Sequence, residues 1–211
     1  MQREGLLLCL VGPAGGGKTT LGQRLLTEFP ETRLSISVTT RAPRPGEVDG
    51  QSYYFISLPE FDARIAAGAF FEWEEIHGNR YGTLRSTLTE AIEQGRDLLL
   101  DIDIRGALRF KRDYPHHAVT VFLVPPSPAV LLERIRARGA MEPAELSRRL
   151  ETARSEYRSL LERREARDGI DYFLVNDELE ATYATLRGIL LSERCRLGRL
   201  SRHDLGRVCT I

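Results

Sequence analysis

A glycine-rich segment near the amino end constrains this chain most: Gly12-Pro13-Ala14-Gly15-Gly16-Gly17-Lys18-Thr19-Thr20. It follows the apolar run 6–11 and precedes leucines at helical spacing, so the pattern predicts a buried strand, a tight turn and a helix. Glycines let successive backbone N–H groups point at phosphate oxygens, and the start of the helix favours negative charge there. The spacing fits the phosphate-binding loop (P-loop) pattern G-x-x-x-x-G-K-[ST] without a mismatch. The sequence therefore predicts a nucleoside triphosphate site, with a chance glycine-rich turn as the alternative.

Three side chains predict the chemistry of this site. Lys18 is expected to reach the β- and γ-phosphates as a point charge, and the Thr19 hydroxyl to take a position on Mg²⁺. Asp101 closes the apolar run 98–104, which is where a P-loop fold places an acid beside the metal and its water. Asp103 lies two residues on, and the pattern places it on the same face of the strand. The alternative is that both acids merely cap a strand end.

Strand and helix patterns alternate along the rest of the chain. The apolar runs 98–104, 118–124 and 171–176 suit buried parallel strands, and 34–38 alternates like a half-buried one. This order predicts an α/β fold with a P-loop three-layer parallel sheet core. Two stretches interrupt it and are expected to lie over the open site. Residues 37–95 form a small mixed α/β, antiparallel-looking insertion, and residues 126–165 form an arginine-rich helical lid, with one helix predicted from Ala129 to about Leu161.

Composition limits the partners. The formal net charge is zero, so no overall basic field favours a nucleic acid or a membrane surface. No apolar stretch of about 18 residues is present, which predicts no membrane span. The three cysteines have no ligand-like spacing, which is typical of a reducing compartment, and a cytoplasmic location is expected. The sequence does not determine the oligomeric state and is compatible with a homo-oligomer.

Several polar side chains in the insertion suit recognition of a second ligand. Arg41 and Arg44 flank a proline in a loop followed by Tyr53; arginine forks bind phosphate bidentately, and a solvated basic loop is the alternative. Glu72 stands between aromatic residues in an apolar strand. The pattern favours solvent for its carboxylate over a buried hydrogen-bonding role.

The lid is dense in arginine. Arg134 and Arg138 are four residues apart and share a helix face, and Arg149 follows on the same arm. Most arginine-rich helices are simply solvated. A lid that closes over phosphates nevertheless needs always-charged donors of this kind, to offset the charge on a transferred phosphoryl group.

Taken together, these segments resemble the guanylate kinase family over nearly the whole chain. The resemblance rests on the P-loop and on Ser37-Val38-Thr39-Thr40-Arg41-Ala42-Pro43-Arg44-Pro45-Gly46-Glu47, Phe71-Glu72-Trp73, Gly78-Asn79-Arg80-Tyr81-Gly82-Thr83, Asp101-Ile102-Asp103, Arg148-Arg149-Leu150 and Val175-Asn176-Asp177. The T-T-R-x-P-R-x-G-E block is the most specific of these. The sequence departs at Ala14, where the family usually has serine, and at Arg105, where glutamine is usual.

The resemblance implies a kinase that transfers the γ-phosphate of ATP to GMP, and also to dGMP, giving ADP and GDP for purine salvage and GTP supply. The implied domain is single, residues 1–211: core 1–36, 96–125 and 166–211, GMP-binding insertion 37–95 and lid 126–165. The implied ATP-binding residues are Gly12, Pro13, Ala14, Gly15, Gly16, Gly17, Lys18, Thr19, Thr20, Arg134 and Asn176. Mg²⁺ would be held by Thr19 and Asp101.

The same resemblance implies the acceptor site and the catalytic charges. Arg41, Arg44, Tyr53 and Tyr81 would hold the GMP phosphate, while Glu72, Asp103, Ser37 and Thr83 would read the guanine edge. The implied catalytic residues are Lys18, Arg44, Arg138 and Arg149. The acceptor is already an anionic phosphate, so no general base is needed.

Two other classes of protein share part of this pattern. A guanylate-kinase-like scaffold binds phosphopeptides without catalysis, but such domains lose the ATP loop, which is present here. A sugar-phosphate kinase would keep the P-loop but not Arg44, Tyr53, Glu72 and Asp103.

Overall fold

The computed structural model describes residues 3–76, 78–137, 142–166, 169–200 and 206. In chain order the strands are β1 (Leu7–Val11), β2 (Arg33–Leu34), β3 (Val38–Thr39), β4 (Tyr54–Phe55), β5 (Phe70–Ile76), β6 (Asn79–Leu84), β7 (Leu98–Asp101), β8 (Ala118–Val124) and β9 (Tyr172–Val175). The helices are α1 (Lys18–Glu28), α2 (Leu58–Ala66), α3 (Arg85–Glu93), α4 (Ile104–Asp113), α5 (Pro128–Arg136), α6 (Pro143–Ala166) and α7 (Leu179–Arg194). A 3₁₀ turn follows at Leu197–Arg199.

The central sheet is parallel and has β1 in its middle. Its strand order is β2-β7-β1-β8-β9, so β1 pairs with β7 on one side and with β8 on the other. Every side chain of β1 and of β8 is buried. A parallel strand covered on both faces must be apolar throughout, which is why continuous apolar runs form this sheet.

Helices cover both faces of the central sheet. One hydrophobic cluster joins alternate side chains of β1 to α1 and α7, and the other joins the remaining ones to α3, α4 and the second half of α6. The predicted α/β fold with a three-layer parallel core is therefore confirmed. No helix in the described ranges has both the length and the apolar composition needed to cross a membrane.

The insertion forms a second, four-stranded sheet in the order β4-β3-β6-β5. β3 pairs in parallel with β4 and antiparallel with β6, so this sheet is mixed rather than purely antiparallel. Its own small core consists of Val38, Phe61 of α2 and Phe70, and the two phenylalanine rings stack with centroids 4.4 Å apart. These residues give the insertion a packed support separate from the central sheet.

Two helices form the arm that carries the arginines, not the single helix predicted from Ala129 to about Leu161. α5 ends at Arg136 and α6 begins at Pro143; residues 138–141 lie outside the described part. α5 and the first half of α6 pack around a small apolar cluster. Tyr157 packs against both this cluster and the core cluster, so α6 runs without a break from the arm to the central sheet.

Two strand predictions are wrong. The alternating run Leu34–Val38 is divided between β2 at the edge of the central sheet and β3 in the smaller sheet, because alternation does not determine the partner strand. The apolar run that leads to Asp103 stops being a strand at Asp101. Asp103 instead begins α4: its Oδ1 accepts a hydrogen bond from the backbone N–H of Gly106 over 2.7 Å. Aspartate favours this capping position, and the two acids therefore do not share a strand face.

Candidate active site

The loop between β1 and α1 is shaped by three glycines with positive φ. Gly12, Gly15 and Gly17 have φ of 126°, 95° and 100°, a region that residues with a Cβ atom rarely adopt. Gly12 passes so close to β8 that an added Cβ would lie 2.1 Å from the carbonyl oxygen of Leu123. Gly17 is the N-cap of α1 and has no side chain that could bond the first N–H groups of the helix. These donors can therefore bind an anion.

Lys18 and Asp101 meet in the pocket above this loop. Lys18 Nζ donates a hydrogen bond to the carbonyl oxygen of Gly12 over 2.5 Å and lies 3.9 Å from Oδ1 of Asp101. Loop carbonyls thus hold the ammonium group in the pocket, where its charge attracts phosphate oxygens. The pocket has a volume of about 310 Å³ and is lined by Gly12, Pro13, Ala14, Gly15, Gly17, Lys18, Thr19, Asp101, Ile102, Asp103 and Glu156.

Asn176 supports the loop from behind. Its side-chain Nδ2 donates to the carbonyl oxygen of Gly16 over 3.0 Å, and its own carbonyl accepts from Nη1 of Arg134 over 2.9 Å. Asn176 is buried and Arg134 is half-buried. These residues, together with Gly16 and the exposed Thr20, lie beside the pocket but are not part of its lining.

Thr19 and Asp101 suit a Mg²⁺ ion that arrives with a nucleotide. Both line the pocket that contains Lys18, and Mg²⁺ in nucleotide sites takes one or two carboxylates with phosphate and water oxygens. No group of three or more His, Cys, Asp or Glu side chains in the described part of the chain could hold a metal ion by itself. The oxygen ligands of Thr19 and Asp101 therefore fit a metal that is also coordinated by nucleotide and water oxygens.

A second group of polar side chains lies next to this pocket. Glu72 and Thr83 are direct neighbours across β5 and β6, and Thr83 is buried. Asp103 lines the P-loop pocket and also faces Glu72 across Gly106. A Cβ atom on Gly106 would lie 3.2 Å from Oδ1 of Asp103 and 3.3 Å from Oε1 of Glu72. Glycine at this position therefore leaves room for the two carboxylates to approach each other.

The environment of Glu72 differs from the solvent-facing one that the strand pattern favours. Its side chain is half-buried. Burial first, and then the nearby Asp103 carboxylate, raise the pKa of Glu72, while Arg109 lowers it; the net result is a pKa of about 7. Its carboxylate is available to accept hydrogen bonds from a ligand with neighbouring N–H donors.

The loop after β3 carries the arginines. Glu47 accepts a hydrogen bond from Nη2 of Arg41 on one carboxylate oxygen and from the backbone N–H of Arg44 on the other, each over 2.7 Å. The hydrogen bond from Arg41 lowers the pKa of Glu47. Tyr53 lies beside Arg41, with the guanidinium carbon 5.4 Å from the ring centroid, and its ring meets that of Tyr81 edge-on at 5.9 Å. The four predicted phosphate-binding residues thus all belong to the insertion: Arg41, Arg44 and Tyr53 lie between β3 and β4, and Tyr81 lies on β6.

Ser37 lies just before β3, and its carbonyl oxygen accepts from the N–H of Tyr54 over 2.9 Å. The side chain is half-buried. It therefore belongs to the same small sheet as Thr83 and Tyr81.

Comparison with known proteins agrees with this geometry. A sequence model of guanylate kinase matches residues 4–193. The chain belongs to the guanylate kinase family. The guanylate kinase of Symbiobacterium thermophilum is 47% identical over 196 residues, covering 93% of this chain and 89% of that protein. The guanylate kinase of Syntrophotalea carbinolica is 43% identical and covers 100% of this chain and 96% of its own length.

A solved guanylate kinase has the same fold. The crystal structure of guanylate kinase from Anaplasma phagocytophilum matches with a TM-score of 0.73 and 31% identity, over 99% of this chain and 97% of that one. The match covers the central sheet, the insertion and the arm together. The family resemblance found in the sequence is therefore confirmed.

The guanylate kinase arm does not bring all its arginines to the pocket in this conformation. Arg149 donates from Nε to Oε1 of Glu145 over 2.8 Å, one turn earlier on α6. Arg134 contacts Asn176 beside the loop, and Arg138 lies outside the described residues. In this conformation the guanidinium of Arg149 is therefore held by Glu145 and does not line the P-loop pocket.

Two acidic residues of the guanylate kinase site were not predicted as site residues. Glu47 is the last residue of the T-T-R-x-P-R-x-G-E block. Its place in such a specific motif was a signal that could have identified it as a site residue. Glu156 lines the P-loop pocket from α6. It lies three residues after Ala153 and four before Leu160, both of which pack in hydrophobic clusters. A carboxylate at these helical spacings on an apolar face was a signal that could have identified it.

Proposed function

We propose that this chain transfers the γ-phosphoryl group of ATP to GMP, giving ADP and GDP. One observation carries the proposal: Asp103 lines the P-loop pocket and also faces Glu72 across Gly106. A triphosphate on the loop and a guanine base beside the two carboxylates would therefore meet at one place. Family membership supports the same reaction.

In this proposal the P-loop residues 12–20 bind the ATP phosphates, with Arg134 and Asn176 at their side. Backbone N–H groups bind the phosphate oxygens, and Lys18 neutralises charge between the β- and γ-phosphates. Thr19 and Asp101 would hold Mg²⁺, which neutralises phosphate charge when bound. These roles are supported by the positive φ of the loop glycines and by the shared pocket lining of Lys18, Thr19 and Asp101.

GMP would bind between the insertion and the start of α4. Its guanine N1–H and N2–H₂ donors would reach Glu72, with Asp103 at the same edge, while Ser37 and Thr83 would donate to O6. Adenine presents a donor and an acceptor where this site offers the opposite, so AMP would leave buried polar groups unpaired and bind poorly. The phosphate would lie against Arg41, Arg44, Tyr53 and Tyr81, which Glu47 helps to arrange. The roles assigned to these residues concern the base and the phosphate rather than a ribose hydroxyl, and we propose dGMP as a second acceptor.

The transfer needs charge and alignment rather than a base. The acceptor oxygen belongs to an already ionised phosphate, so no proton has to be removed. Lys18, Arg44, Arg138 and Arg149 would offset the charge that spreads over the transferred group. Release of Arg149 from Glu145 costs little, because ion pairs four residues apart on a helix contribute about 0.3–0.5 kcal/mol.

We propose the domain division expected from the sequence: core 1–36, 96–125 and 166–211, GMP-binding insertion 37–95 and lid 126–165. Separate hydrophobic clusters in the insertion and in the arm support it. α3 is the exception within the insertion, because its buried side chains pack with the core cluster. Residues 201–205 and 207–211 of the proposed core lie outside the described part. The cytoplasmic location and the oligomeric state stay predictions.

The test measures ADP release with ATP and Mg²⁺ and with each of GMP, AMP, UMP and CMP. We expect turnover with GMP, and a GMP KM raised by two orders of magnitude or more in Glu72→Gln, because the isostere replaces an acceptor with a donor. Glu75→Gln is the matched control, since Glu75 is on the same strand and exposed. Equal turnover with all four monophosphates, or none with GMP, would overturn the proposal.

A further inference from the structure

Glu156 is a buried carboxylate that has no role in the steps of the proposed reaction. It lies on α6, is only 8% exposed, and lines the P-loop pocket together with Lys18 and Asp101. One of its oxygens, Oε2, is buried and has no hydrogen-bond partner among the described residues. A buried unpaired carboxylate oxygen is destabilising, so its retention at the pocket wall calls for a partner that arrives later.

The surrounding charges restrict what that partner can be. Burial raises the pKa of Glu156, the Lys18 ammonium lowers it, and the Asp103 carboxylate raises it. Lys18 already donates to the carbonyl oxygen of Gly12, and its charge is needed by phosphate once ATP binds. Asp101, across Lys18, adds a second negative group to the pocket. Bound triphosphate alone would therefore increase the repulsion on Glu156 rather than relieve it.

Hydrated Mg²⁺ is a ligand that relieves this repulsion. It enters with ATP, carries two positive charges, and keeps several water molecules whose O–H groups are strong donors. On the basis of the proposed function, we infer that Glu156 is a metal-side positioning residue of the ATP site: its free Oε2 accepts a hydrogen bond from a water molecule bound to the ATP-associated Mg²⁺. Asp101 and Thr19 line the same pocket as Glu156, so water molecules around one metal ion could reach all three side chains.

With Glu156 in this role, the second half of the lid helix α6 is part of the ATP site. Glu156 follows Arg149 by seven residues, two helical turns along α6. The next residue, Tyr157, packs where the arm cluster meets the core cluster. Binding of the metal–nucleotide complex would thereby change contacts at the position where the lid helix joins the central sheet.

The test compares binding of adenylyl imidodiphosphate, a non-hydrolysable ATP analogue, with Mg²⁺ and with EDTA, by calorimetry on the full chain. With Mg²⁺, Glu156→Gln should bind the analogue about tenfold more weakly than the wild type, because a hydrogen bond to an ionised group is lost. With EDTA the variant should bind equally well or more tightly, because a negative charge beside the triphosphate is gone. Glu162→Gln, an exposed carboxylate on the same helix, should change neither value.

Parallel weakening with and without metal would show a merely structural role, and unchanged binding in both would leave Glu156 outside the site; either result overturns the inference. Glu156→Asp keeps the charge and should retain the preference for Mg²⁺. Thermal unfolding of Glu156→Gln verifies folding, and we expect a midpoint no lower than that of the wild type, because a buried charge is removed. Turnover of GMP by the wild type is measured alongside. Its absence would overturn the proposed function while leaving the metal dependence of analogue binding readable.

Discussion

Asn176 donates a hydrogen bond from its buried side-chain amide to the carbonyl oxygen of Gly16, over 3.0 Å. The carbonyl oxygen of the same residue accepts from Nη1 of Arg134 on α5. Asn176, which directly follows β9, therefore joins the P-loop to the first helix of the arm, the loop through its side chain and the helix through its backbone carbonyl. The loop conformation depends on this support as well as on its own glycines.

Asn176→Ala should weaken ATP binding without affecting GMP. The substitution leaves the Gly16 carbonyl unpaired and opens space against Gly17, at a cost of about 1–3 kcal/mol in unfolding free energy. We expect the KM for ATP to rise about tenfold and the KM for GMP to stay within about twofold. Steady-state kinetics with each substrate varied in turn measure both values.

Thr185→Ala, on the exposed side of α7, is the control for Asn176→Ala. Its hydroxyl bonds only to its own helix, at the carbonyl oxygen of Ala181, and neither KM should change. An equal rise of both KM values in Asn176→Ala would contradict a specific link to the loop.

Gly12→Ala should be far more disruptive than an alanine at another glycine with positive φ. The new Cβ would lie 2.1 Å from the backbone carbonyl oxygen of Leu123 in β8. β8 cannot move aside, because it is paired with β1 on one side and with β9 on the other. We expect a loss of about 3 kcal/mol or more in unfolding free energy. Urea denaturation measures this loss, and calorimetry with the ATP analogue measures the accompanying loss of binding.

Gly68→Ala separates the backbone strain from the clash. Gly68 has φ of 65° and nothing within 4 Å of an added Cβ. The variant should therefore lose only the free energy of placing alanine in the left-handed conformation, about 1–2 kcal/mol. Similar losses in the two variants would show that the approach of Gly12 to β8 is unimportant.

Local patterns predicted the central sheet and the P-loop well. The spacing from Gly12 to Thr19 and the apolar runs of β1 and β8 are each contained in a few consecutive residues. The same information could not place Leu34 and Val38 in different sheets, because the choice of partner strand is made by distant residues. Asp103 was assigned to a strand, but aspartate is also a common residue at the start of a helix, and a helix cap is what forms.

The acceptor site depends on contacts between distant segments. Glu72, Asp103 and Gly106 come together only when β5 packs beside the start of α4, and no window of sequence contains that approach. The resemblance to a family supplied these residues where periodicity did not. It did not supply the unpaired oxygen of Glu156, which becomes visible only from burial and from the absence of a partner among the described residues.

Glu47→Gln should weaken recognition of the acceptor phosphate. Glu47 holds the guanidinium of Arg41 and the backbone of Arg44 with its two oxygens, and an amide can accept with only one of them. We expect GMP to bind about tenfold more weakly. Guanosine, which has no phosphate, should bind to variant and wild type alike, and calorimetry compares the two ligands.

Glu60→Gln is the control for Glu47→Gln, because Glu60 also pairs with an arginine, Arg64, but on α2 away from the loop. Its GMP affinity should equal that of the wild type. A matching loss of guanosine binding in Glu47→Gln would place the effect in the base pocket and contradict a phosphate-specific role.

Recognition of the base should depend on pH through Glu72. Burial and the nearby Asp103 carboxylate together raise its pKa to about 7, and the ionised carboxylate is the form that accepts from both guanine donors. Guanosine is the suitable ligand, because a phosphate ester itself titrates near pH 6. Its affinity should be constant above the pKa of Glu72 and fall about tenfold for each pH unit below it. Calorimetry over this range measures the profile.

Glu72→Gln should bind guanosine weakly and without this pH dependence, whereas Glu75→Gln should keep the wild-type profile. Stability without ligand should change in the opposite sense. A carboxylate whose pKa is raised on folding favours the folded state when protonated, so its contribution is present below the ordinary pKa of 4.5 and is lost as the pH rises to about 7. The thermal midpoint of Glu72→Gln relative to the wild type should therefore increase across this interval. A guanosine affinity that is flat in the wild type, or equally pH-dependent in Glu72→Gln, would contradict the role of this carboxylate.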